Sequence, residues 1–289
     1  MVDSFGSEGA QFLADLNSTA VQTEIAQKAT RVARQIPEVE AVILRGSLAT
    51  QSGDIFSDID LLLLCQKPDQ LEGIKKTFLS QAHQLGPVIH SYSSVVNPIN
   101  HLLIFDPMVQ LELDLKSYQQ AASSWKTAKG VLLYDRTGLG RSAIENAQRI
   151  VFDIDAHKPF LTNTAAIVPV SVYLIYGYYT RGERLAALDD LDWLRNQMLR
   201  ASSYLLGMQD EGPRRAETKF PADVVHYYRE TRTSTARNIW AAVELILKWY
   251  ADWMIPRFQE LDVAVPNNLL TRVRTCVDEL HRRSRTNGT

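Results

Sequence analysis

Cysteine is nearly missing from this chain: two occur in 289 residues, Cys65 and Cys276. A disulfide framework or a thiolate zinc site needs more, so both are expected to be reduced thiols. An excess of charge of one sign is missing too. There are 31 Lys and Arg against 33 Asp and Glu, for a net charge of −2 and a pI near 6.3. Residues 1–150 carry 13 basic against 16 acidic residues, and the remainder 18 against 17. Neither half offers the positive field that nucleic-acid binding draws on, so a nucleic-acid partner is not expected. No run approaches about 18 uninterrupted apolar residues, so no membrane span and no membrane partner are expected. The opening "MVDSFGSEGAQF" has no basic stretch followed by an apolar one. It does not read as a secretory signal, and the cytoplasm is the expected location. Internal repeats and low-complexity tracts are lacking as well. What is present, 45% hydrophobic and 22% charged residues, suits one large or two modest globular domains.

Periodicity divides the chain. Over residues 8–35, Phe12, Leu13, Leu16, Val21, Ile25 and Val32 recur at helical steps, and Pro37 closes the segment. "EAVILRGS" (39–47) then reads as a buried strand running into a Gly-Ser turn, and "SDIDLLLLC" (57–65) as a second strand. A helix is predicted after Pro68. "HLLIFD" (101–106) and "VQLELDLKSY" (109–118) predict two strands joined at Asp106-Pro107, "GVLLYD" (130–135) a weaker one, and a helix runs on to about Arg149. Beyond residue 155 only helical patterns occur: 164–183, 184–207, 235–254 and 267–283. In the third of these, Ile239, Val243, Ile246, Tyr250 and Trp253 form a 4-3-4-3 stripe, and Pro256 is expected to stop the helix. "RTNGT" at the end reads as frayed. The expected fold is an α+β N-terminal domain, a mixed sheet flanked by helices over 1–150, followed by an all-α helical bundle over 151–289.

Asp58 and Asp60 stand one residue apart at the mouth of the second strand, where residues i and i+2 share a face. Two carboxylates about 6–7 Å apart repel, and a fold tolerates that where water or a cation lies between them. Magnesium takes oxygen ligands from a few carboxylates and keeps other positions for water and phosphate. "VQLELDLKSY" offers a third acid. Its apolar face is Val109, Leu111, Leu113 and Leu115, and its polar face holds Gln110, Glu112, Asp114 and Lys116, so either Glu112 or Asp114 can join if the strands are neighbours. Separated from Asp58 by ten residues, Gly46-Ser47 ends a strand where backbone N–H groups and a hydroxyl can meet an anion, with no Cβ at Gly46 to block it. A lone Gly-Ser turn or Asp-x-Asp pair is commonplace and usually structural. In this order and spacing the parts point to metal-assisted phosphoryl or nucleotidyl transfer.

These residues resemble the motif of the polymerase-β-like nucleotidyltransferase superfamily. That motif is an apolar residue and Gly-[Gly/Ser], a spacer of this length, two acids alternating with apolar residues, and a later strand with an acid between apolar residues. Ile43 and Leu44, Ile59 and Leu61, and Leu113 and Leu115 supply the apolar flanks. "GVLLYDRTG" followed by a helix is similar to the segment closing this domain in bacterial aminoglycoside- and lincosamide-type nucleotidyltransferases, which also carry a helical C-terminal domain.

The resemblance implies a fold, a reaction and a site. Asp58, Asp60 and Asp114 would be the catalytic acids and ligands of Mg2+, two ions in all, with Asp114 ranked above Glu112. Gly46, Ser47 and Ser57 would hold the nucleotide. The reaction would move a nucleoside monophosphate, AMP from ATP or its equivalent from another NTP, to a hydroxyl of a small-molecule acceptor such as an aminoglycoside- or lincosamide-like antibiotic, releasing pyrophosphate. The acceptor would lie between the two domains, with Glu112, Glu183, Asp189 and Asp190 as candidates to bind it or act as base. Asp192, on the same stretch, and the basic loop "GPRRAETKF" (212–220) read first as solvated surface, and His157, His226 and His281 have no ligand-like spacing. A homodimer is compatible with this reading. The competing readings are a protein-modifying, AMP-transferring enzyme of a toxin–antitoxin-like system and a non-catalytic nucleotide-binding protein.

Overall fold

A computed structural model describes residues 17–233 and 239–286. Phe12, Leu13 and Leu16 of the first predicted helix, the start of the 235–254 helix and the last residues of the "RTNGT" tail lie outside the described residues. The chain divides into two compact units at Val151/Phe152.

The first unit is built on a six-stranded mixed sheet: β1 Ala41–Arg45, β2 Ile59–Cys65, β3 Val88–Ser93, β4 His101–Phe105, β5 Val109–Ser117 and β6 Val131–Asp135. The strand order is β3-β4-β5-β2-β1-β6. Strands β2 and β5 run parallel and every other pairing is antiparallel. The central β2 is buried on both faces, as its unbroken apolar run requires. Ile59, Leu61, Leu63 and Cys65 pack on one side with α1 (Ala20–Arg34), while Leu62 and Leu64 pack on the other. Burying each of these leucines contributes about 1.5–3 kcal/mol. A one-turn helix, α2 (Gly46–Ala49), follows β1 directly, and α3 (Leu71–Ser80) joins the α1 layer through Leu71, Ile74 and Phe78. On the opposite face Ala121 of α4 (Tyr118–Ala122) and Ala143 of α5 (Leu139–Gln148) cover Ile43, Leu62 and Leu64.

Periodicity did not predict β3. All six of its residues are exposed at the sheet edge, so no buried face imposes alternation on "VIHSYS", and backbone pairing to β4 alone defines it. The turn between β4 and β5 contains a cis Asp106-Pro107 bond.

The second unit is helical: α6 Lys158–Thr180, α7 Arg184–Leu205, α8 Ala216–Lys219, α9 Ala222–Glu230, α10 Ile239–Lys248, a π-turn at Trp249–Met254, α11 Ile255–Glu260 and α12 Asn267–Thr286. The stripe Ile239, Val243, Ile246, Tyr250 and Trp253 is buried in its core. Pro256 does not stop this helix. The chain passes through the π-turn and continues as α11 with Pro256 in its first turn.

A second proline, Pro169, sits inside α6. It cannot donate to the carbonyl of residue 165, four positions back. Tyr250 replaces the missing donor, its hydroxyl lying 2.6 Å from the Ala165 carbonyl oxygen. The segment Asp155–Thr180 is the one helix among the described residues long and apolar enough, by length and composition, to cross a membrane. The criterion of an uninterrupted apolar run passes over it because Thr, Asn, Pro and Ser punctuate it. Half of its most apolar window is buried, and Leu161, Ala165, Val168, Val172, Ile175 and Tyr176 belong to the core of the helical unit.

Candidate active site

The acidic cluster follows from strand register. β2 and β5 are hydrogen-bonded neighbours, with Asp60 opposite Glu112 and Leu62 opposite Asp114. On the other side of β2, Arg45 stands opposite Asp60. Laterally paired residues share a face, so Arg45, Asp60 and Glu112 form a row across three strands. Asp58, two residues before Asp60, returns to the same face at the mouth of β2.

One carboxylate oxygen each from Asp58, Asp60 and Glu112 lies within 4.8 Å of the others, and all three residues are half-buried. At an effective dielectric near 20, each such pair of charges repels by about 3 kcal/mol. Three hard oxygen donors, Asp60 and Glu112 from neighbouring strands and Asp58 from the residue leading into β2, with partial exposure left for water and phosphate, suit a divalent magnesium-like ion.

Asp114 takes a different place from the one expected. It lies one strand repeat deeper, 3% exposed, and its Oδ2 is 2.8 Å from Arg45 Nη2 and 3.3 Å from Lys116 Nζ. Glu112, not Asp114, is the acid that register brings to the Asp58–Asp60 pair. The sequence pattern could not choose between them because both satisfy the apolar–acid–apolar rule on one face. Arg45 was not singled out, although a charged residue at the end of the buried run "AVILR" was a signal. Its Nε and Nη1, and Asp114 Oδ1, are buried without protein partners.

Gly46 has a definite role. Its φ is +66°, a region that costs other L-residues energy, and a Cβ built there would lie 1.9 Å from Asp60 Oδ2. The glycine lets the Gly46-Ser47 turn close onto the Asp60 carboxylate. Ser57, expected to touch nucleotide, uses its hydroxyl inside the spacer loop. Its Oγ accepts from the Asp54 N–H (3.0 Å) and donates to Asp54 Oδ1 (3.1 Å), which also accepts from the Phe56 N–H (2.9 Å). Gln22 of α1, whose polarity on an apolar helix face was an overlooked signal, donates from Nε2 to carbonyl oxygens of the same loop.

The acids expected to meet the acceptor are on the helical unit. Glu183, preceding α7, is exposed and gripped by Arg181, Nε to Oε1 at 2.8 Å, which holds its carboxyl below the usual range. Asp189 and Asp190 are adjacent on α7. Burial, then the neighbouring Asp189 charge, raises the Asp190 carboxyl above its usual value. Asp192 pairs with the buried Arg195 at 2.6 Å. A separate cavity of about 510 Å3 in the first unit, lined by Val21, Ile25, Phe105 and Pro107 among others, includes none of the clustered acids.

A profile of the family described as "Streptomycin adenylyltransferase" matches residues 20–275. No curated protein sequence matches the chain. Among solved structures, the chain is similar to an aminoglycoside 6-adenyltransferase from Bacillus subtilis, at 11% identity and a TM-score of 0.42 over 91% of this chain and 99% of the other. A nucleotidyltransferase-like protein from Exiguobacterium sibiricum 255-15 is similar at 13% identity and a TM-score of 0.37, over 90% and 91% of the two chains.

Proposed function

Because this chain belongs to the streptomycin adenylyltransferase family and is a nucleotidyltransferase, we propose that it transfers AMP from ATP to a hydroxyl of an aminoglycoside-like antibiotic. The observation that carries the reading is the convergence of Asp58, Asp60 and Glu112 beside the Gly46-Ser47 turn.

In this reading the acceptor hydroxyl attacks the α-phosphorus, the α–β phosphoanhydride bond breaks, and pyrophosphate leaves as the hydroxyl proton passes to a base. Asp58, Asp60 and Glu112 would hold magnesium, which would supply charge neutralisation for the triphosphate and the pyrophosphate. Gly46 and Ser47 present the turn to the phosphates. Arg45 and Lys116 flank the acids, and their pairing with Asp114 keeps a fixed positive charge beside the site. Paired strands set the spacing of Asp60 and Glu112 before substrate arrives, so little reorganisation of those two is left to the reaction. In the helical unit, Asp189 and Asp190 offer adjacent negative charge to a polycationic acceptor, whereas Glu183 is already committed to Arg181.

The test is an incubation of purified protein with Mg2+, labelled ATP and a panel of streptomycin, other aminoglycosides and lincosamides. Mass spectrometry should find an acceptor heavier by one AMP and an equivalent of pyrophosphate. The reading fails if ATP binds and no acceptor in the panel is modified. Modification of a co-purifying protein instead would move the assignment to the protein-directed alternative.

A further inference from the structure

Gln22 is fully buried, at 0% exposure, on the face of α1 that also carries Ile25, Ala26 and Ala29. A residue there to fill space would be Leu or Met, because an amide must be desolvated and its groups paired. Gln22 Nε2 lies 3.1 Å from the Asp54 carbonyl oxygen, 3.1 Å from that of Ile55 and 3.4 Å from that of Ser57. Two N–H groups thus serve three carbonyls, all within the four residues that precede Asp58. Gln22 Oε1 is buried with no partner, so the residue is kept for its donors at a cost in its acceptor. The loop belongs to no sheet ladder or helix. Within it, the Asp54–Ser57 hydrogen bonds lock its own turn. Gln22 ties that turn to a helix anchored on the sheet through Ile25, Ala29 and Val32.

We propose that Gln22 is a positioning residue for the metal-binding acids. It clamps the 54–57 carbonyls so that Asp58 enters β2 at the spacing from Asp60 and Glu112 that one divalent ion requires. The inference rests on the metal role proposed above for those three acids. Asp58 is the one member of the triad that precedes its strand rather than lying within it, so the sheet ladder alone does not fix it. Outer groups that orient ligands typically govern metal affinity by about 10–100-fold.

Direct Mn2+ binding to the full-length protein, followed by electron paramagnetic resonance without nucleotide, tests this. Gln22→Met keeps the volume and removes the donors. Gln22→Asn keeps the amide and withdraws it by one methylene. Both should weaken Mn2+ about 10-fold or more while the far-ultraviolet circular dichroism stays that of the unaltered protein, and Gln22→Asn carries the test if Gln22→Met does not fold. Val32→Ala, a core truncation on the same helix, should lower the melting temperature and leave Mn2+ affinity unchanged. The clamp is overturned if the Gln22 variants bind Mn2+ as the unaltered protein does, or if Val32→Ala weakens it equally. If the unaltered protein binds no Mn2+ and Asp58→Ala makes no difference, the metal reading itself is what fails.

Discussion

Glu112 and Asp114 are two residues apart on one strand face, yet they carry different chemistry. Glu112 lies among like charges, so replacing it with its isosteric amide relieves repulsion while removing an oxygen anion from the triad. Asp114 lies against Arg45, whose side chain is 7% exposed, and its removal strands a buried guanidinium. Glu112→Gln is therefore expected to hold or raise the melting temperature and to lose at least 100-fold in AMP transfer. Asp114→Ala is expected to cost about 3–5 kcal/mol of stability. Thermal melts beside transfer assays separate the two, and a Glu112→Gln enzyme with full activity would remove that residue from the proposed metal site. Cys65 makes a simpler case. Burial pushes its thiol up from 9.0 to about 11. A raised folded-state value adds stability that is whole below about pH 9 and is lost as pH climbs through 11. At pH 8 a thiol reagent should label the exposed Cys276 alone, and both cysteines only in denaturant.

At the scale of elements, proline shows how local rules yield to context. Pro169 removes the donor for the Ala165 carbonyl, and Tyr250 from another helix restores it. Tyr250→Phe should cost about 1–3 kcal/mol, the penalty for leaving a buried acceptor unpaired. Pro169→Ala returns an N–H to that carbonyl, so Tyr250→Phe should cost much less in a Pro169→Ala background. A double-mutant cycle by urea unfolding measures the difference, and strict additivity would refute the compensation. The strands and helices legible in the chain are those with one strongly apolar face, such as β2, β5 and the Ile239–Trp253 stripe. The strand β3, with every residue exposed, left no periodic trace, and Pro256 signalled an end where a π-turn let the helix resume.

At the scale of the whole molecule, a ligand that binds the folded sheet unit shifts its unfolding by mass action. Mg2+ and ATP each at about 100 times their dissociation constant should stabilise it by about 2.7 kcal/mol or more, seen as a rise in melting temperature. EDTA should abolish the part due to metal, and Asp58→Ala should show none of that part. An unchanged melting curve in the presence of both ligands would contradict the proposed site.

The chain's order of residues determined the classes of element, the change from sheet to helix after residue 150, and the pairing of Asp58 with Asp60 downstream of a Gly-Ser turn. Those follow from periodicity and from the short-range rule that alternate residues of an extended chain share a face, which puts Asp58 and Asp60 on one side at the mouth of β2. Only the tertiary structure decided which acid completes the cluster, because the choice between Glu112 and Asp114 depends on the register of two strands some 50 residues apart in sequence. It also decided that Gly46 must yield space to Asp60, that Arg45 neutralises Asp114, and that Gln22 holds the loop before Asp58. Each of these is a contact between residues distant in sequence, set by how hydrogen-bonded strands and packed helices align, and no local pattern encodes that alignment.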